Sequence, residues 1–353
     1  MSTQTYFGRI LPLNKAWLGK LAPEEVLDPG LPIIDTHHHL WDRLPAALPQ
    51  GQTAQDNVYL LDDFVQDLNS GHNTIATVYM QCHAQYRTAG PEEMKPVGET
   101  EFAAGVGELS DRGGHGKTRV CQGIVGAADL NLGERVRPVL EAHVEAGGGR
   151  FRGVRASAAF DPAPGIGNTI DVPGAYLRPD FRAGVAQLTA MGLSLDAWVF
   201  HPQLADLIDL ARASPDTSIV MGHCGGPLGY GPYAGKRDEV FSQWKRSVTE
   251  LAGCPNVTMK LGGMMIRLAA IDYVQLPAPP SSTEIARLWG PYIETCIDLF
   301  GPQRCMFESN FPVEKLGASW TTLWNAFKRI TAGASPAERA LLFSGTAKRV
   351  YRL

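Results

Sequence analysis

The sequence predicts an α/β protein built as a single (β/α)8 barrel, the TIM-barrel architecture, with long loops at the C-terminal face of its strands. Three observations lead there. Eight short β-branched or apolar runs alternate with longer helix-like segments, and such alternation implies a parallel sheet covered by helices on its outside. Eight units in 353 residues fit a barrel carrying insertions. A doubly wound sheet would place a GxGxxG turn after an early strand, and none follows the first run.

The strand-like runs are Leu31–Thr36, Thr74–Gln81, Cys121–Ala127, Phe151–Arg155, Leu193–Val199, Thr217–Gly222, Asn256–Gly262 and Arg304–Glu308. Helical patterns fall between them at Glu134–Ala146, Phe181–Met191, Pro202–Ala213, Val240–Ala252 and Ile285–Phe300. Gly- and Pro-rich insertions are expected after the second run (Gln85–Gly116), the fourth (Ala156–Pro179), the sixth (Gly225–Gly235) and the seventh (QLPAPPSS, 275–282). All follow the C-terminal ends of strands, the face on which barrels carry their active sites. Residues 1–30 read as an N-terminal extension packing on a barrel formed by 31–353.

Composition narrows the partners. Lys and Arg (32) and Asp and Glu (36) leave a net charge of −4 with no basic run, which argues against nucleic acid and membrane surfaces. A small-molecule substrate is left, and a homo-oligomer is compatible with the composition. The six cysteines (Cys82, Cys121, Cys224, Cys254, Cys296, Cys305) form no CxxC pair and fit a reducing compartment. The N-terminus shows no continuous apolar stretch after a basic start, and no run is long enough to span a bilayer. A cytoplasmic protein is expected.

Three of the nine histidines fall in IIDTHHHLWD, 33–42. Side chains alternate across a strand, so His37 and His39 share a face, with Asp35 one pleat lower and His38 pointing outward. Facing inward at the barrel mouth, such a pair could hold one metal ion or one substrate carbonyl. His83, His201 and His223 end the second, fifth and sixth runs, so four strand ends present a histidine on one rim. His72, His115 and His143 read as solvent-facing. Tyr79, Gln81 and His83 share a face of the second strand and are candidates to line the pocket, while Trp41, Trp198 and Tyr230 are candidates to wall it. Cys224 beside His223 lacks a visible Asn or Asp orienter for a thiol nucleophile.

The ordered series DTHHHLWD, FRGVR, GHCGGP, KLGGM and MFESNFPV resembles the amidohydrolase superfamily. Within it, the series is similar to the lactonase branch that includes the 2-pyrone-4,6-dicarboxylate and sugar-acid lactonases. The resemblance runs from Leu31 to Leu353. It implies that His37, His39 and His201 bind a divalent metal, zinc first, where one is present, and polarise the lactone carbonyl directly where none is. It further implies that His223 orients substrate or water, and that Arg155 meets a substrate carboxylate, so that the substrate is anionic. An ester carbonyl needs positive charge or donors where its oxyanion develops, and a zinc-type ion lowers the pKa of bound water to about 7.

At one position the chain departs from the family. The last strand of relatives ends in an Asp that ligates metal and takes a proton from water, and here Asn310 stands there. A carboxamide has no useful basicity near neutral pH. Another residue can be the base, with Glu308 and His223 the candidates and an ion pair to Lys260 or an Arg the structural alternative for Glu308. Otherwise the reaction has changed, catalysis is lost, or the Asn is an introduced substitution. The expected activity is hydrolysis of a lactone of a small organic acid. The alternatives are a non-oxidative decarboxylase on the same fold and a non-catalytic ligand-binding barrel.

Overall fold

Apolar, β-branched runs covered on both faces become parallel strands, and β1 (Ile33–His38) is buried along its whole length. The computed structural model describes residues 15–42, 58–265 and 276–353. After β1 comes a two-stranded antiparallel ribbon, β2 (Trp41–Asp42) with β3 (Val58–Tyr59). There follow β4 (Thr74–Met80), β5 (Arg119–Gly126), β6 (Phe151–Ser157), β7 (Ser194–Trp198), β8 (Ile219–Met221), β9 (Val257–Leu261) and β10 (Cys305–Phe307). The parallel sheet has the order β1-β4-β5-β6-β7-β8-β9-β10. Its ends meet through a bridge between His38 and Phe311 and the bond from the His39 amide to the Phe311 carbonyl, 2.7 Å. This is the (β/α)8 barrel that the alternation predicts.

Helices separate successive barrel strands: Leu61–Leu68, Val97–Asp111, Arg137–Ala146, Pro179–Ala190, Leu204–Ala213, Arg237–Ala252 and Ser282–Phe300. Ser281 caps the last of these, accepting from the Glu284 amide while the Glu284 carboxylate accepts from its own, the reciprocal pair that satisfies two orphan donors. The segment 85–116, expected as a Gly- and Pro-rich insertion, holds the 15-residue helix Val97–Asp111. Its buried residues are small or polar apart from Val97 and Val106, so it shows no stripe of large apolar residues. A Cβ on Gly98 would lie 2.6 Å from the Gln85 carbonyl oxygen.

Inside the barrel Ile34, Val78, Val125, Val220 and Met306 cluster with Val350 and Tyr351 of the terminal helix Thr346–Tyr351, which closes the end opposite the strand C-termini. Residues 24–28 of the leading segment bond to the helix Trp320–Ile330: Lys328 Nζ donates to the carbonyls of Leu27 and Asp28, both at 2.8 Å. Residues 1–14 of the expected extension, the charged loop after Trp41 and Asp42, and Gln275 of the seventh insertion lie outside the described residues.

Two histidines read as solvent-facing are buried. His143 bonds Thr100 Oγ1 at 2.8 Å and the Ala127 carbonyl at 2.9 Å, and His72 accepts from Lys328 Nζ at 2.9 Å. Both serve the packing between helices and sheet, through partners distant in sequence. All six cysteines are buried, and none forms a disulfide among the described residues. Among the described residues no helix is long and apolar enough to cross a membrane.

Candidate active site

A bulge near the end of β1 aims its histidines. Asp35 pairs with Thr77 and His38 with Tyr79, so three steps on β1 match two on β4 and one residue is extra. Simple alternation fails there, and Asp35 does not join His37. Its carboxylate accepts from the Ser309 amide and hydroxyl, both at 2.8 Å, and burial pushes its pKa up to about 7. Lys260 Nζ donates to the Thr36 carbonyl beside the bulge (2.8 Å) and pairs with Asp196 (3.1 Å). Asp196 also accepts from the Tyr351 hydroxyl at 2.6 Å. His38 lies on the opposite side, stacked on Phe64 with Nε2 2.9 Å from Thr77 Oγ1.

A small cavity opens next to the bulge, lined by His37, Met80, Arg155, Asp196, Trp198 and His223 among others. Behind its histidines lies Glu308, fully buried. Glu308 Oε1 accepts from the His223 amide (2.7 Å) and from His223 Nδ1 (2.8 Å). Oε2 lies 2.7 Å from His37 Nδ1, off the ideal hydrogen-bond axis. The partners of Glu308 are therefore two imidazoles, whereas Lys260 goes to Asp196. Burial alone would raise the Glu308 pKa, but His223 and His37 outweigh it and hold the carboxyl well below its usual range. Burial drives His37 well below the usual imidazole value despite that carboxylate, so it is neutral. The glycines of KLGGM make room for this pair: a Cβ on Gly263, at φ +65°, would lie 1.7 Å from His223 Nδ1.

Proton positions follow from the partners. His39 Nδ1 lies 2.8 Å from the Met80 carbonyl oxygen, which can only accept, so Nδ1 carries the hydrogen and Nε2 a lone pair. His37 Nδ1 and His223 Nδ1 face a carboxylate, which leaves lone pairs on their Nε2 atoms too. His37 Nε2 and His39 Nε2 are 3.1 Å apart; two lone pairs so close require a shared proton or a cation. His201 has the other tautomer. Its Nδ1 accepts from the Leu228 amide at 3.2 Å, so Nε2 carries the hydrogen, and that buried atom has no partner among the described residues. Burial pushes the His201 pKa down to about 4.

The remaining candidates separate. Arg155 lines the cavity and donates to the Gln81 carbonyl at 3.1 Å, while the Gln81 amide donates to the Tyr86 hydroxyl at 3.2 Å. His83 is exposed, its ring 5.5 Å from that of Tyr86. Tyr79 faces away from the barrel interior, donating to buried Glu99 at 2.9 Å, because the inward parity of β4 belongs to Val78 and Met80. Asn310 binds the His37 carbonyl through its amide (2.8 Å) and Glu314 through its side chain (3.2 Å). Asp196, Lys260 as its partner, and Glu314 are additions from the structure. The signal for the first two is a charged residue within an apolar strand, as in LSLDAWVF and TMKL.

The Nε2 atoms of His37 and His39 suit a divalent ion. His37, His223 and Glu308 also lie within 4.8 Å of one another, but there the carboxylate faces the Nδ1 atoms. Two imidazoles on one tetrahedral zinc, with bonds of about 2.0–2.1 Å, would place their nitrogens about 3.3 Å apart, close to the 3.1 Å between His37 and His39. Their Nδ1 hydrogens rest on a carboxylate and a carbonyl, the usual support of metal-binding imidazoles.

Comparison with known proteins places this geometry in context. The family model described as amidohydrolase matches residues 34–353. An uncharacterised protein of Sinorhizobium fredii, y4mH, is 32% identical over 91% of this chain and 98% of its own length. An L-fucono-1,5-lactonase of Burkholderia multivorans is 28% identical over 91% of this chain and 96% of its own. An amidohydrolase structure from Burkholderia multivorans with bound zinc superimposes with a TM-score of 0.69 at 26% identity, covering 91% of this chain and 99% of that one.

Proposed function

We propose that this chain, which belongs to the amidohydrolase family, hydrolyses a sugar-acid lactone or a similar small cyclic ester. One observation carries the reading: Glu308 binds His37 Nδ1 and His223 Nδ1 together, turning their Nε2 lone pairs away from itself. His37 Nε2 and His39 Nε2 would hold a zinc-type ion, which supplies Lewis acidity toward the carbonyl and acidity to water. The similarity to a lactonase and to a zinc-bound amidohydrolase supports both parts.

The chain's own residues then divide the work. His223 Nε2 takes the proton from the attacking water and returns it to the ring oxygen as the acyl C–O bond breaks, and Glu308 stabilises the imidazolium in between, which supplies the base that Asn310 cannot be. The His201 Nε2–H donates to the carbonyl oxygen as it gains charge. Arg155 offers N–H groups to a carboxylate or hydroxyls of the acid. Trp198, edge-on to His223 at 4.5 Å between ring centres, keeps water off the far side of that ring. The test is hydrolysis of a panel of aldonic and pyrone lactones by purified protein supplied with Zn²⁺ or Mn²⁺, followed by acid release. A wild type that leaves the whole panel untouched sinks the reading.

A further inference from the structure

Glu314 is fully buried, and among the described residues its carboxylate meets two donors: the Met265 amide on Oε2 at 3.0 Å and Asn310 Nδ2 on Oε1 at 3.2 Å. Asn310 sits in the left-handed region at φ +53°, which Asn tolerates better than most residues. Its amide on the His37 carbonyl, 2.8 Å, fixes the residue beside the bulge of β1. With one Nδ2 hydrogen committed to Glu314, Oδ1 is the side chain's one acceptor, and no hydrogen bond to it is found among the described residues.

We infer that Glu314 is a positioning residue that locks the Asn310 carboxamide with its oxygen available to the site. The pair Asn310–Glu314 thereby delivers an acceptor oxygen where a lone Asp would deliver one by itself. The inference rests on the hydrolytic reading above for its kinetic consequence, though not for the pairing. In that reading the oxygen accepts a hydrogen bond from the attacking water and orients it, while proton removal stays with His223.

The donor pattern makes the test specific. In Glu314→Gln the new amide oxygen must take the Met265 N–H, so its NH2 faces Asn310. Asn310 then turns its oxygen to that NH2 and its own NH2 to the site. All hydrogen bonds are kept and the acceptor is lost. Glu314→Gln should melt close to wild type yet show kcat down about ten-fold or more, with KM within about two-fold, as expected for a contact made to the reacting water. Asn310→Asp should melt lower, because it buries a second acidic group where Glu314 now meets a donor. The double variant N310D/E314Q should regain the wild-type melting temperature, since the NH2 of the introduced glutamine can donate to one oxygen of the introduced aspartate while the other faces the site. It should also recover kcat.

Wild-type kcat in Glu314→Gln, or a double variant no faster than Glu314→Gln, overturns the positioning role. A double variant melting no higher than Asn310→Asp overturns the pairing itself, and melting needs no substrate. A wild type inactive on every lactone would fell the hydrolytic reading and the kinetic role together, with the pairing still decided by the melts.

Discussion

Replacing Glu308 by Gln changes one oxygen into an NH2 group at the centre of the site, and the outcome can be worked through atom by atom. Oε1 accepts two bonds, from the His223 amide and Nδ1, so the amide oxygen of Gln must remain there. The NH2 group then faces His37 Nδ1, now 2.7 Å from Oε2. His37 must accept through Nδ1 and move its hydrogen to Nε2, where it points at His39 Nε2, 3.1 Å away. That hydrogen occupies the place of a cation. Losing such support for a metal-binding imidazole typically costs about 10–100-fold in metal affinity, and losing the carboxylate behind a general base about 10²–10⁴-fold in rate. Folding should be spared, because every donor keeps an acceptor and a buried charge disappears. Competition with a chromogenic chelator measures the first effect, steady-state lactone hydrolysis the second, and thermal melting the third. Zinc held as tightly as in wild type, with kcat within about three-fold, would refute both the tautomer assignment and the role of Glu308.

Other outcomes follow from the same geometry. His201→Gln should lower kcat about 10²–10³-fold, the usual loss for an oxyanion donor, and leave zinc content by elemental analysis unchanged; loss of zinc would instead make His201 a ligand. Arg155→Met should raise KM at least about ten-fold for an acidic lactone and much less for a neutral one; equal effects on both would deny it anion recognition. Burial holds His38 at about 3 and His72 and His143 at about 4, all below the ordinary 6.5. The unfolded chain therefore binds protons first, and stability should fall as pH drops from about 6.5 to 4. Urea titrations across that range check it, and a His143→Gln variant should show a shallower slope. Incubation with aromatic carboxylic acids should release no carbon dioxide; release without lactone hydrolysis would favour decarboxylation.

Much of the barrel is legible in the sequence because each strand is a short apolar run bounded by loops, and each long loop follows a strand end. The helix Val97–Asp111 is not, since it packs through mostly small and polar residues and carries no stripe of large apolar side chains. The histidines of the site are legible as types and places, but not their groupings. Alternation puts Asp35 with His37, yet one extra residue in β1 relative to β4 undoes it, and a register difference between two strands is not written in either. The parity of β4 differs at Tyr79 for the same kind of reason: its polar end is satisfied by Glu99, twenty residues away. His72 and His143 are polar residues whose partners are remote in sequence, so burial cannot be inferred from their neighbours.

The Asn at position 310 gains a different meaning beside these contacts. Taken alone it removes a base from a catalytic strand end. In the structure the same strand end supplies two buried carboxylates on either side of it, Glu308 one pleat before and Glu314 one turn after. An aspartate at 310 would face Glu314, 3.2 Å away, and add a like charge to the field of Glu308. Burial already pushes Glu314 up to about 8, so its proton would be held more firmly still. A neutral amide avoids that repulsion and keeps an oxygen available. Glu308, with its histidine pair, can then stay ionised. The Asn is thus the residue type that lets two carboxylates share one strand end, and the work of one Asp is divided among Glu308, His223 and the Asn310–Glu314 pair.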